Sequence, residues 1–101
     1  MNLVWTQEAL KNLCKIEEFI ANDSPTRAID FINHLIGKAE SLSENPGIGR
    51  IVPEMSHSNI RELIVKNYRI VYRTKPGLIQ ILTVFEGHKL FDSDSLEPDS
   101  D

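Results

Sequence analysis

Apolar residues recur at intervals of three and four in the N-terminal half of the chain and at intervals of two in the C-terminal half. This change of period divides the sequence into a helical part and a stranded part. Asn2 to Trp5 is a short apolar run that fits an edge or inner strand. Thr6 is placed to cap a helix whose first turn holds Gln7 and Glu8. Ala9, Leu10, Leu13, Ile16, Phe19 and Ile20 then lie along one side of that helix, which must be covered. Ala21-Asn22-Asp23-Ser24-Pro25 interrupts the pattern, with Ser24 as the next N-cap and Pro25 as first helical residue, where a missing N–H costs nothing. Ala28, Phe31, Ile32, Leu35, Ile36, Ala39 and Leu42 repeat the period, so the two helices form a hairpin.

Asn45-Pro46-Gly47 stops the second helix, and Gly47-Ile48-Gly49-Arg50 reads as a connecting loop because its glycines interrupt any regular element. Beyond it, branched and aromatic residues dominate in three runs: Ile60 to Lys66, Tyr68 to Lys75, and Leu78 to Phe85. Asn67 and Lys75-Pro76-Gly77 separate them as tight turns. The expected fold is α+β: an N-terminal strand, a helical hairpin, then a three-stranded antiparallel meander, with the helices packed on one face of the sheet. In the middle strand Tyr68, Ile70, Tyr72 and Thr74 point one way, and Arg69, Val71, Arg73 and Lys75 the other. That second set places bases on the face away from the core. The preceding strand alternates Arg61, Leu63, Val65 against Glu62, Ile64, Lys66, which leaves the face of Arg61 open.

The chain has 101 residues, 41% of them hydrophobic and 26% charged, which fits one folded domain. No apolar run approaches the length of a membrane span, and the first residues carry acids where an export signal has an apolar core. The single cysteine, Cys14, permits no internal disulfide and no cysteine-cluster metal site, and a reduced cytoplasmic protein is expected. The formal net charge of −4 hides three regions. Residues 1–45 carry −3, residues 46–90 carry +4, and the last eleven, from Phe91, carry −5 without a single base. Residues 92–101 read as an acidic, flexible tail after a domain spanning 1–91. A sharper reading lays this tail over the basic segment as a mimic of a nucleic acid or acidic partner; its removal would then strengthen anion binding.

Neither the glycine-rich dinucleotide fingerprint nor the phosphate-loop pattern occurs, and His34, His57 and His88 lack the spacing of metal ligands, so neither cofactor nor metal is expected. Ser56-His57-Ser58 reads as a turn rather than a nucleophile with an oriented base. Arg69 and Arg73 carry more information, since guanidinium groups on a central strand have a fixed direction and meet phosphate or carboxylate in bidentate fashion. Their counter-anion is either internal (Glu62, Glu86 or the tail) or belongs to RNA, a DNA-bound enzyme or an acidic partner protein. His88 adds a group whose ordinary pKa suits acid–base work near neutral pH, with Lys89 beside it.

The chain resembles the RelE/ParE superfamily of bacterial toxin–antitoxin toxins over about residues 3 to 91. The resemblance rests on Trp5-Thr6 with Ala9-Leu10 and Leu13, Ile16 to Ile20, Ser24-Pro25 with Ala28, Leu42, Asn45-Pro46 with Gly49-Arg50, Pro53 and Glu54. The strongest stretch is Ile60 to Arg73, closed by Ile79 to Val84 and Gly87-His88. It implies a bacterial toxin neutralised by a cognate antitoxin, with operator DNA engaged only indirectly through that antitoxin and no role for a membrane. Two targets follow from the superfamily: ParE-like members poison DNA gyrase and block replication, whereas RelE-like members cleave mRNA on the ribosome. Arg69 matches an arginine common to both. A RelE-like nuclease would offer an arginine after Gly87 and later a tyrosine; here Lys89 and acids follow, with no tyrosine beyond Tyr72. Residues 1–90 carry only +1, a weak field for gripping ribosomal RNA. The ParE-like branch is therefore favoured, with Arg61, Arg69, Arg73, His88 and Lys89 as target-binding residues and no assured catalytic group. On the nuclease alternative Arg69, Arg73, His88 and Lys89 would be catalytic. A third alternative is a family member that binds antitoxin and is weakly toxic or harmless.

Overall fold

The structure, a computed structural model, describes residues 1–53 and 59–87. The Ser56-His57-Ser58 segment, His88, Lys89 and the acidic tail lie outside the described residues. The order of elements is β1 (Asn2–Trp5), α1 (Gln7–Ala21), α2 (Pro25–Glu40) with a 3-10 turn at Ser41–Ser43, β2 (Arg50–Ile51), β3 (Ile60–Val65), β4 (Tyr68–Lys75) and β5 (Leu78–Glu86). The α+β reading holds, with the helical hairpin against a five-stranded sheet of order β1-β5-β4-β3-β2.

Both helix starts follow their capping residues. The Thr6 hydroxyl accepts the Ala9 N–H and the Ser24 hydroxyl accepts that of Arg27, with Pro25 at the first turn. Ala9, Leu13 and Ile16 of α1 and Ala28, Leu35 and Ala39 of α2 are buried. All of these but Ala28 join Val65, Tyr68, Ile70, Tyr72, Ile79, Ile81 and Val84 of the sheet in one core cluster. Leu10 and Phe19, expected on the covered side of α1, are exposed instead, and so is Cys14.

The meander forms as expected. A two-residue turn at Lys66-Asn67 joins β3 to β4, and Pro76-Gly77, with Gly77 at φ 71°, joins β4 to β5. Two strands enlarge it. β1 lies at the outer edge and pairs parallel with β5, Asn2 opposite Leu78 through Trp5 opposite Ile81. β2 forms where a loop was expected, setting Arg50 opposite Glu62 and Ile51 opposite Arg61. Past the end of β1, the side of β5 is taken over by α1. The Thr6 hydroxyl donates to the Ile81 carbonyl (2.8 Å), and Asn12 Oδ1 accepts the Val84 N–H (2.9 Å) and the Thr83 hydroxyl (2.8 Å). Leu82 is the extra residue of a bulge in β5, since Val71 pairs with Thr83 and Tyr72 with Ile81.

The face of the sheet away from the helices, called here the outer face, is not the bare basic surface expected from the alternation. Val52, Ile60, Val71 and Leu82 form a second buried apolar cluster, with Phe85 packed against it.

Candidate functional site

The register fixes which charged groups meet. Glu62 opposes Val71, and Arg69 opposes Ile64, so Glu62 and Arg69 are diagonal neighbours on the outer face. Arg50 comes to the same face because it opposes Glu62 from β2. The result is an arginine–carboxylate–arginine cluster. The Glu62 side chain is fully buried; Oε1 accepts Arg69 Nε at 2.6 Å and also contacts Nη2, while Oε2 accepts Arg50 Nε at 2.5 Å. The Arg69 guanidinium also lies 5.0 Å from the centre of the Phe85 ring, its cross-strand neighbour. Of the internal counter-anions considered, Glu62 is a partner of Arg69.

Arg69 and Arg73 face away from the helices as expected, but they are not exposed: 6% and 8% of their surfaces remain accessible. Arg73 Nη1 approaches Gln80 Oε1 (3.4 Å) across the β4–β5 pair. Alternation along a strand reports direction, and whether a given face is covered depends on segments far away in sequence. Arg50 is the contrast, its side chain 62% exposed.

Arg61 lies on the opposite face. It pairs with Tyr72 of the helix-facing set, and its Nη1 donates to the Gly49 carbonyl at 2.8 Å. Tyr72, itself fully buried, donates its hydroxyl to the Pro46 carbonyl (2.8 Å) and accepts the Gly49 N–H (3.0 Å). Burial pushes the Tyr72 phenol above its ordinary pKa, against smaller opposing effects of the Gly49 amide and the Arg61 charge. A Cβ on Gly49 would lie 2.5 Å from both the Tyr72 hydroxyl and the Glu62 carbonyl oxygen, so only glycine fits. Tyr72 and Arg61 thus fix Gly49 from the helix side, and Glu62 holds the next residue, Arg50, from the outer side. Arg69 and Arg73 share a face with Arg50; Arg61 does not join them.

A second feature lies near the turn end of the helical hairpin, where α1 leads into α2. Phe19, 71% exposed, stands beside a groove of about 560 Å³ lined by Ile20, Phe31 and Tyr68 with Arg27, His34 and Lys66. Phe31 and Tyr68 pack with ring centres 5.3 Å apart, and the Lys66 ammonium sits 5.8 Å above Phe31. Lys66 has φ 55°. Burial, and to a lesser degree the Glu86 charge, raise the Tyr68 phenol pKa. Among the described residues no His, Cys, Asp and Glu cluster suits a metal ion, and no helix is long and apolar enough to cross a membrane.

The fold is that of small α+β toxins from toxin–antitoxin modules. It is shared with a chain of the chromosomal ParDE toxin–antitoxin system of P. aeruginosa, at TM-score 0.72 and 22% identity, covering 85% of this chain and 95% of that one. It is also shared with a chain of the toxin–antitoxin complex RelBE2 of Mycobacterium tuberculosis, at TM-score 0.63 and 20% identity, covering 84% and 88%. Residues 3–91 match the family described as the ParE toxin of the type II toxin–antitoxin system parDE, and the chain belongs to this family within the RelE/ParE superfamily. Toxin RelE2 of Caulobacter vibrioides is 34% identical over 89 residues, 87% of this chain and 97% of that relative.

Proposed function

We propose that the protein is the toxin component of a toxin–antitoxin module, that it acts by inhibiting DNA gyrase without catalysing a bond change, and that a cognate antitoxin neutralises it. The observation that carries the choice of target is the buried Glu62 carboxylate against the Arg69 guanidinium. A scissile phosphate approaching Arg69 would meet that negative charge, and the guanidinium would have to leave an existing buried ion pair to stabilise a new anion. Both tyrosines point to the helix face, so among the described residues the outer face offers no tyrosine or histidine for proton transfer. The arginines therefore fit the recognition of a partner better than the cleavage of RNA. On this reading the target meets the outer face around Arg69 and Arg73, and Arg61 contributes by holding Gly49; His88 and Lys89, proposed as target contacts from the sequence, lie outside the described residues.

The antitoxin is proposed to cover the groove near the turn end of the hairpin, where Phe19 offers a large apolar side chain beside Phe31 and Tyr68. Replacement of Phe19 by aspartate should abolish co-purification with the antitoxin while leaving the toxin folded; unchanged co-purification would remove the groove from the interface. The Caulobacter relative bearing a RelE name favours a second reading, ribosome-dependent mRNA cleavage. Gyrase supercoiling with purified, refolded protein separates the two. Dose-dependent inhibition with accumulation of linear plasmid is expected. Unaffected gyrase, together with mRNA cut only when ribosomes are present, would overturn the gyrase reading in favour of the nuclease.

A further inference from the structure

We propose that Arg50 is the anion-gripping residue of the outer face and that its ligand is a protein segment carrying a carboxylate beside apolar side chains. The inference deepens the proposed function, since it names the chemistry by which the outer face recognises a target.

Three observations converge on Arg50. The first is the distribution of charge in the cluster: Glu62 neutralises one of its two arginines, and Arg69 is the buried one. The uncompensated positive charge therefore resides at the solvent end, on Arg50. The second is donor supply. A guanidinium has five N–H donors; the one on Arg50 Nε is given to Glu62, and among the described residues the terminal nitrogens of this largely exposed side chain donate no hydrogen bond, which leaves their four N–H groups for a ligand. The third is order before binding. The main chain of Arg50 is paired with Glu62 in the sheet, Gly49 is held by Tyr72 and Arg61, and the side chain is tied by its Nε. Little freedom is left to lose when an anion docks, and preordering of this kind raises affinity.

The surroundings indicate the class of ligand. Ile64 lies two residues from Glu62 on the outer face, Ile48 stands two residues before Arg50, and both are exposed; Ile51, opposite Arg61, belongs to the other face. An arginine among exposed branched apolar side chains has the composition of a protein interface, whereas a nucleic-acid surface is polar and densely basic. Arg69 and Arg73 lie behind this rim, nine-tenths buried, Arg69 held by Glu62 and Arg73 beside Gln80, so the arginine presented to solvent is Arg50.

The test uses the full chain and its Arg50→Glu, Arg50→Lys and Lys11→Glu variants. Lys11 is an exposed lysine on α1, away from the outer face and from the groove beside Phe19, and it controls for the change of charge. Binding is read by fluorescence anisotropy with a labelled acidic peptide of glutamates containing two leucines, and with a DNA duplex and an RNA oligonucleotide of similar charge. The expected result is salt-dependent binding of the peptide that falls by about tenfold or more in Arg50→Glu. Arg50→Lys should retain part of it, Lys11→Glu should bind as the wild type does, and thermal melting should show all variants folded. Absence of peptide binding by the wild type, or equal binding by Arg50→Glu, overturns the proposal. Tighter, Arg50-dependent binding of either oligonucleotide overturns it in favour of a nucleic-acid surface. Gyrase inhibition is measured separately on the same proteins, so Arg50-dependent peptide binding without any effect on gyrase removes the gyrase reading alone.

Discussion

Replacing Glu62 by glutamine keeps the shape of the side chain and deletes the charge at the centre of the arginine cluster. The wild-type carboxylate is fully buried and accepts hydrogen bonds from Nε of Arg69 at 2.6 Å and Nε of Arg50 at 2.5 Å. After the change Arg69, 6% exposed, remains a buried cation facing a neutral amide that satisfies it less well. Breaking a buried pair from one side costs about 3–5 kcal/mol, out of roughly 5–15 kcal/mol for a whole domain. Each kcal/mol lowers the melting temperature of a domain of this size by about 4–8 °C, so a fall of more than about 10 °C is expected. The single tryptophan, Trp5, lies in β1 against β5 and reports unfolding in a urea titration by its fluorescence. A Glu62→Gln, Arg69→Met double variant removes the stranded cation together with the lost anion and should recover part of the loss. Arg50→Ala should cost about 1 kcal/mol, because that arm of the cluster is in water. A cost below about 1 kcal/mol for Glu62→Gln, or a double variant less stable than the single one, would refute the assignment of a stabilising buried pair.

Tyr72→Phe removes the acceptor of the Gly49 N–H and the donor to the Pro46 carbonyl, and should cost about 1–3 kcal/mol by urea titration, with β2 the first segment to lose amide-exchange protection. The folded-state pKa of Tyr72 is raised by burial, so its contribution to stability is complete below the ordinary tyrosine value of about 10 and is lost as pH rises through the folded value. Melting followed from neutral pH into that alkaline range should therefore decline less steeply in Tyr72→Phe than in the wild type; Tyr68, also raised, leaves a residual decline. Asn12→Ala strips the partner from the Val84 N–H and the Thr83 hydroxyl, and a loss of about 1–3 kcal/mol is expected by denaturant titration.

The helices and the meander were legible in the sequence because each carries a local signal. Thr6, Ser24 and Pro25 mark helix starts, the period marks faces, and Pro76-Gly77 marks a turn. What escaped depends on contacts between distant segments. A strand of two residues has no period, so β2 is invisible to any pattern, and Gly49 reads as a loop breaker although it is there because Tyr72 leaves no room for a Cβ. The two-residue turn at Lys66-Asn67 does contain the β3–β4 register: once Val65 opposes Tyr68, Arg61 must oppose Tyr72 and share its face. That count, carried back along β3, resolves the face of Arg61 and brings Glu62 beside Arg69. Nothing in β4 itself indicates that Arg69 and Arg73 are covered, since their cover comes from outside the strand.

The parallel pairing of β1 with β5 also governs when this fold can exist during synthesis. β5 lies between β1 and β4, so the sheet lacks an interior strand until the last described element has been made. β1, made before the other elements, waits, with the helical hairpin already formable from local contacts, for a strand more than seventy positions later to close the sheet. A chain interrupted before Leu78 keeps its helices, but it offers their apolar faces no complete surface to settle on. The growing polypeptide thus completes the sheet that carries the outer-face cluster, and any activity that depends on it, only after β5 has been made.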